Sequence, residues 1–183
     1  MKQMSKKKLL SIILPLGLII VIGGILGVYF YLKLGSGVNN WNEFKDDFYG
    51  YSIKYPKSWF VYPDEIHKAG YSTEITSYDL SKGQTIPSGG LRINIAMDNI
   101  GDSKSLDEWI KKNLPPVGNV VSQDNRVIAG VNSIVQTTSE LGLLVYIPKD
   151  NQIFIIQAEP MESLRERYNE TFNMILSTFK FTK

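Results

Sequence analysis

Cysteine is absent from the 183-residue chain, and histidine occurs only once, at His67. Without cysteine, no disulfide stabilises the fold and no thiolate is available for catalysis. Basic runs are also missing from residue 34 onward, where 15 Lys and Arg face 18 Asp and Glu and leave a net charge of −3. A mildly acidic domain without basic runs does not fit nucleic-acid binding, so that partner class is excluded.

Charge is missing altogether from Leu9 to Leu32. These 24 residues would form a helix of about 36 Å, which is long enough to cross a bilayer with some tilt. Tyr29, Phe30 and Tyr31 come at the end of this stretch, where aromatic rings favour the headgroup layer. The sequence therefore predicts a transmembrane helix at residues 9–32 that acts as a signal anchor.

A cleaved signal peptide is the alternative interpretation, because a basic start and an apolar stretch are typical of both. The apolar run is longer than a usual signal-peptide core, and it ends in Val28–Lys33 without an A-x-A-like cleavage site. We therefore favour a retained anchor. Gly23 and Gly27 have the G-x-x-x-G spacing of helix dimers, which is frequent by chance in membrane spans, so the oligomeric state stays open.

Charge also sets the expected orientation. The tail at residues 1–8 contains Lys2 and Lys6–Lys8 and no acid, whereas the residues after the span are mixed in sign. The positive-inside rule then places the tail in the cytoplasm and the C-terminal part outside it. We expect a single-pass protein of the cytoplasmic membrane with a linker at residues 33–43 and an extracytoplasmic domain at residues 44–183.

Strands dominate the first half of the predicted domain. Alternating apolar residues and flanking prolines or glycines predict four strands, at Tyr51–Tyr55, Trp59–Tyr62, Thr73–Tyr78 and Leu91–Met97. Ser105 and Glu108 fit a capping box. The helix that they begin buries Leu106, Trp109, Ile110 and Leu114 and ends before Pro115. Trp109 is therefore expected in the core, and Trp41 is expected to be the most exposed of the three tryptophans.

The second half predicts two hairpins and a helix. Arg126–Ala129 and Asn132–Thr138 flank a turn at Gly130-Val131, and Leu141–Ile147 and Gln152–Ala158 flank Pro148–Asn151. Pro160 begins a helix whose apolar stripe includes Leu164, Tyr168, Phe172, Ile175, Leu176 and Phe179. Hairpins without regular βαβ alternation predict the α+β class, with helices covering an antiparallel sheet.

The segment Gly50–Trp59 resembles the opening of the PsbP-type domain. The helix at Ser105–Trp109, the hairpins around Gly130 and the ending Ile175–Phe181 occur where that family places them, so the resemblance covers residues 44–181. It implies an antiparallel sheet sandwiched by helices, a fold shared with a Ran-binding nuclear import factor. The founding members are extrinsic photosystem proteins that help to retain calcium and chloride. The predicted anchor is a departure from them, although similar membrane-anchored domains occur in non-photosynthetic bacteria.

Candidate chemistry is sparse. A serine triad with His67 is formally possible, and Asp64, Glu65 and His67 are possible metal ligands, but they follow Pro63 in a predicted exposed loop and no second histidine is available. Ser177 and Lys180 have S-x-x-K spacing without the companion motifs, which indicates a chance match.

Acidic segments raise the possibility of calcium. The segment Asp98–Glu108 fails the EF-hand pattern and is better explained as a solvated loop with a helix cap. Glu43, Asp46 and Asp47 are further possible cation ligands, although a polar segment beside the membrane explains them better. We therefore assign no catalytic, cofactor-binding or metal-binding residue.

The expected function is that of a non-catalytic accessory domain, tethered to the membrane and docking on a protein of a membrane or envelope complex. A small-ligand or calcium-binding module is the alternative, and an unrecognised hydrolase is a third possibility. The bilayer is the expected partner of residues 9–32, and the identity of the protein partner stays open.

Overall fold

A computed structural model describes residues 37–67, 72–83, 85–113 and 119–183 of the chain. The predicted span at residues 9–32 and the basic tail at residues 1–8 lie outside these ranges. None of the helices in the described part has the length and the apolar character that a bilayer crossing requires. Residues Trp41–Lys183 form one compact unit.

Seven antiparallel strands form the main sheet of this unit, in the order β3-β4-β5-β9-β8-β7-β6. Their bounds are β3 Phe60–Tyr62, β4 Thr73–Thr76, β5 Arg92–Asn99, β6 Val120–Ile128, β7 Val131–Thr138, β8 Leu143–Lys149 and β9 Gln152–Glu159. Alternation puts Ile93 and Ile95 of β5 into the core. The long strands β5, β9, β8 and β7 form the centre of the sheet, and short β3 and exposed β6 are its edges.

A second, smaller sheet has the order β1-β2-β10, with β1 Asn42–Asp46, β2 Tyr51–Tyr55 and β10 Lys180–Phe181. Both ends of the described domain therefore meet on one central strand, β2. Tyr51 and Ile53 of β2 are buried in the same core as the main sheet. The small sheet joins the two ends of the domain to its core.

Helices are few. Helix α1 spans Leu106–Asn113, and a short 3₁₀ turn spans Leu80–Lys82. The C-terminal helix has three consecutive parts, which are α2 at Met161–Ser163, a π-helical turn at Leu164–Tyr168 and α3 at Asn169–Ser177. Ser105 caps α1 as expected, since its Oγ accepts a hydrogen bond from Glu108 N at 3.1 Å. The Glu108 carboxylate reaches Lys104 N at 2.8 Å, one residue earlier than a capping box requires.

Two apolar clusters hold these layers together. The larger combines Leu164, Phe172 and Ile175 of the C-terminal helix with residues of both sheets. The smaller places Trp109 and Ile110 of α1 against Ile134, Leu144, Tyr146 and Ile153 of the main sheet. Trp109 is thus in the core, as expected, and Trp41 is the most exposed of the three tryptophans.

The α+β class and the antiparallel pairing are confirmed, but the expectation of a single sheet is wrong. Strand β1 was not predicted, and it begins at Asn42 inside the segment assigned to the linker. Strand β10 was also missed, because Phe179 continues the apolar spacing of the helix although α3 ends at Ser177. The Thr178 hydroxyl, which accepts from Lys54 N at 2.8 Å, marks this change from helix to strand.

The first predicted hairpin also differs. Its strand was expected to begin at Arg126, whereas β6 begins at Val120. The turn lies at Ala129-Gly130, where both residues have positive φ, so it precedes the predicted position by one residue. In the second hairpin, β8 continues through Pro148 to Lys149, and the turn is confined to Asp150-Asn151. Leu114, expected at the end of α1, lies outside the described residues.

Candidate functional site

Two turns of the chain meet at one end of the small sheet. The first connects β1 with β2 and is built on Asp46, which is only 6% exposed. Its Oδ1 accepts hydrogen bonds from Phe48 N and Tyr49 N, both at 2.9 Å. A carboxylate that satisfies two backbone amides fixes a turn more firmly than neutral acceptors do. The first turn is therefore rigidly defined by its own sequence.

The second turn follows β3 and repeats this design. Asp64 is also 6% exposed. Its Oδ1 accepts from Ile66 N at 2.9 Å and His67 N at 3.0 Å, and its own backbone N donates to Thr73 Oγ1 at 3.2 Å. His67 has a φ of +52°, a left-handed conformation that few non-glycine residues adopt. The buried carboxylate stabilises that conformation.

Side chains connect the two turns directly. The Tyr49 hydroxyl donates to Asp64 Oδ2 at 3.4 Å, so a side chain of the first turn reaches the carboxylate of the second. The His67 ring lies 4.3 Å from the Phe48 ring and 5.5 Å from the Tyr49 ring, measured between centroids. The turns therefore form one continuous surface.

Apolar side chains on this surface face solvent. Phe48 is 63% exposed and Ile66 is 49% exposed, and both belong to the few large hydrophobic residues in the described part of the chain with this much exposure. Tyr49 and His67 are half-buried beside them. We call Phe48, Tyr49, Ile66 and His67 the two-turn surface.

The residues after β10 contact the first turn. Thr182 N donates to Gly50 O at 2.9 Å, and Lys183 Nζ contacts Asp47 O. Gly50 has a φ of +75°, and a Cβ there would lie 3.3 Å from side-chain carbons of Lys183. Only glycine fits this position without strain. Strand β10 and the first turn are thus one structural unit.

One ion pair and one perturbed tyrosine lie beside the two-turn surface. Lys45 Nζ lies 2.6 Å from Asp47 Oδ1, and its hydrogen bond holds the pKa of that carboxyl below the usual range. Burial, followed by the negative charge of Asp64, raises the pKa of the Tyr49 hydroxyl. Tyr49 is therefore a neutral hydrogen-bond donor at physiological pH.

The structure brings together two groups that the sequence suggested as separate cation ligands. Asp46 belongs to the group Glu43, Asp46 and Asp47, and it forms the first turn. Asp64 and His67 belong to the group Asp64, Glu65 and His67, and they form the second turn. Both carboxylates face inward and bind backbone amides, so the prediction that Asp64 lies in an exposed loop is wrong. Among the described residues, no three His, Asp or Glu side chains are grouped closely enough to hold a metal ion.

The other candidates lie elsewhere. Ser177 is the last residue of α3, and its hydroxyl donates to Met174 O at 2.7 Å. Lys180 begins β10 and is exposed. In the acidic segment, Asp98 accepts from Asn99 N at 2.7 Å, and Glu108 contributes to the start of α1. These contacts give the residues local structural roles.

Sequence reasoning missed Phe48 and Ile66. Both residues lie in turns, two positions after an aspartate, so neither belongs to the apolar periodicity of a strand or helix. The available signal was the repeated spacing itself, in which Asp46 and Asp64 are each followed two residues later by a large apolar residue. Such a spacing becomes informative only when the fold brings both turns together.

Comparison with known proteins identifies the fold. No family model and no curated protein matches the sequence. The chain is similar to the solution structure of cyanobacterial PsbP (CyanoP) from Synechocystis sp. PCC 6803, with a TM-score of 0.53 and 14% identity over 80% of this chain and 95% of that one. At this identity the likeness concerns the fold alone. The chain has a PsbP-like fold.

Proposed function

We propose that the chain is a non-catalytic, membrane-tethered interaction domain that docks on a protein partner through the two-turn surface. The observation that carries this proposal is the exposed pair Phe48 and Ile66, which two buried carboxylates hold in place. The carboxylates bind the backbone amides of Phe48 and Ile66. Because the backbone at both residues is ordered before binding, less conformational entropy is lost when their side chains enter a pocket. They are the kind of residue that dominates binding energy in protein interfaces.

The partner suited to this surface offers a shallow apolar pocket. The charged groups below the two-turn surface already have partners, because Asp46 and Asp64 bind backbone amides and Asp47 binds Lys45. The pocket therefore needs apolar walls more than a compensating charge. A polar rim around it would fit the exposed Glu65 and the usual anatomy of interfaces.

A membrane anchor would allow a surface this small to bind its partner. We propose that residues 9–32 span the cytoplasmic membrane, with the N-terminus in the cytoplasm and the PsbP-like domain outside it. The support is the 24-residue uncharged stretch and the lysines that precede it. Confinement to the membrane plane raises the effective concentration of a membrane-bound partner, so a weak contact is enough. The lack of catalytic activity and of a resident cofactor stays a prediction.

Photo-crosslinking tests the docking surface. A benzophenone amino acid would replace Phe48 in the full chain, and in a matched control it would replace Phe60, an aromatic residue of β3 that is 40% exposed. We expect illumination of native membranes to join position 48, but not position 60, to one recurring protein. Equal capture at both positions, or none at either, would contradict the proposal.

Cysteine labelling tests the topology separately. Because the chain has no cysteine, Ser5→Cys and Ser58→Cys each introduce a single thiol, and Ser58 is exposed in the domain. We expect a membrane-impermeant maleimide to label Ser58→Cys in intact cells and to label Ser5→Cys only after permeabilisation. The reverse pattern, or equal labelling in intact cells, would overturn the proposed orientation.

A further inference from the structure

Strand β6 forms an unusually exposed edge of the main sheet. It pairs with β7 on one side and, within the described residues, has no strand on the other. Every residue from Val120 to Val127 is exposed, although the adjacent positions Ser133–Gln136 of β7 are buried. The opposite edge, β3, has only three residues. The long free edge of the sheet is therefore β6.

This edge lacks two features that commonly protect free strands from pairing. Val120–Ile128 contains no lysine and no proline, which are residues that natural edge strands commonly use to prevent association. Val120, Val121 and Val127 are 52%, 63% and 71% exposed. One irregularity of the register lies at its start, between Val120 and Ser122. The rest of the strand has a regular register, and within the described residues no strand pairs with its outer edge.

The charges of β6 complement one another when the strand meets a second copy of itself. Asp124 and Arg126 are two residues apart and therefore share a face. In an antiparallel pair centred on Asn125, Asp124 of each copy lies opposite Arg126 of the other, and Gln123 lies opposite Val127. A pair centred on Asp124 would place like charges directly opposite each other, which is destabilising. The register centred on Asn125 is therefore the one in which Asp124 and Arg126 of the two copies pair with each other.

We propose that β6 pairs antiparallel with β6 of a second copy of this chain, across a twofold axis at Asn125, and joins the two seven-stranded sheets. The backbone hydrogen bonds of the new ladder supply affinity, and the two Asp124–Arg126 pairs fix the register. Arg126 Nη1 donates to Asn173 Oδ1 of α3 at 3.1 Å, which leaves its other donors for the opposite copy. This inference is independent of the two-turn surface.

Disulfide trapping tests the register. Asn125→Cys places one thiol on each side of the proposed axis, at the short Cα separation that a disulfide requires. Gln123→Cys is the matched control, because Gln123 is also exposed and is on the same face but would lie about 13 Å from its own copy. We expect mild oxidation of the full chain in detergent micelles to yield at least about tenfold more disulfide dimer from Asn125→Cys.

Charge reversal tests the complementarity in the Asn125→Cys background. Arg126→Asp should reduce disulfide dimer formation, because it places acids opposite each other. Adding Asp124→Arg should restore the yield, although the contact with Asn173 is not restored. Recovery therefore reports pairing between copies and not the local hydrogen bond. The absence of recovery in a folded double variant would contradict the proposed register.

A different occupant of β6 would give a different result. If β6 takes a strand of another protein, or if chains associate only through Gly23 and Gly27, the two cysteine variants should form disulfide dimers equally poorly. Equal yields from Asn125→Cys and Gln123→Cys, whether high or low, would overturn the proposal. Preferential trapping of Gln123→Cys would do the same, because it indicates another register.

Discussion

The two-turn surface and strand β6 both expose large apolar side chains, but they differ in whether their backbone polar groups have hydrogen-bond partners. In the two turns, buried carboxylates satisfy the backbone amides, so only side chains are presented to a partner. In β6, the outward backbone groups have no strand neighbour within the described residues. The first surface is suited to an apolar pocket, whereas the second is suited to another strand. Exposure alone would not have distinguished them.

The same contrast predicts where substitutions affect stability. Asp64 is buried and accepts from two backbone amides and one hydroxyl, whereas Asp124 is exposed. Removing a buried acceptor leaves donors unsatisfied, whereas removing an exposed one returns its partners to water. The carboxylates of the two turns should therefore contribute to the free energy of unfolding, whereas the charges of β6 should contribute little.

The largest expected effect follows from Asp64→Ala. We expect it to lower the free energy of unfolding by about 2–3 kcal/mol, because two backbone amides and the Tyr49 hydroxyl lose a buried, charged acceptor. Asp124→Ala is the matched control and should change that free energy by less than about 0.5 kcal/mol. Urea unfolding followed by tryptophan fluorescence measures both. Equal losses in the two variants would remove the distinction between these regions.

A smaller effect is expected at Tyr49, whose pKa is raised mainly by burial. An acid with a raised pKa in the folded state stabilises the fold fully below its unfolded pKa, and that stability is lost as pH rises through the folded pKa. Unfolding free energy should therefore fall more steeply above about pH 10 in the wild type than in Tyr49→Phe. Parallel pH profiles for the two proteins would show that Tyr49 contributes nothing.

The smallest effect on stability is expected for Val127→Lys on β6. Val127 is 71% exposed, so its replacement should change the unfolding free energy by no more than about 0.5 kcal/mol. Lysine on an edge strand opposes pairing, so self-association of the full chain, measured by analytical ultracentrifugation in detergent, should nevertheless weaken. A large stability loss would show that β6 contributes to the core.

Most of the core could be predicted from the sequence, because buried elements carry a periodic apolar signal. Ile93 and Ile95 alternate in β5, and Trp109 and Ile110 mark the inner face of α1. These positions follow directly from strand and helix geometry. The PsbP-like fold follows from a partly different set of segments, which are Gly50–Trp59, Ser105–Trp109, the hairpins around Gly130 and Ile175–Phe181.

The exposed elements could not be predicted in the same way. Strand β6 shows no alternation, since neither of its faces is covered from Val120 to Val127. Strand β1 is mostly exposed for the same reason. The two-turn surface depends on turns that are 18 residues apart at their aspartates, and only tertiary structure brings them together. Exposed surfaces lack the burial that produces a periodic sequence pattern.

The central claim is tested most directly by removing the two exposed side chains of the two-turn surface. The measurement is the yield of a recurring crosslinked protein recovered with the full chain from native membranes, in wild type, in Phe48→Ala with Ile66→Ala, and in Phe60→Ala. We predict a loss of at least about tenfold in the double variant and no change in Phe60→Ala. An unchanged yield from a double variant that unfolds at the wild-type urea concentration would contradict docking through this surface.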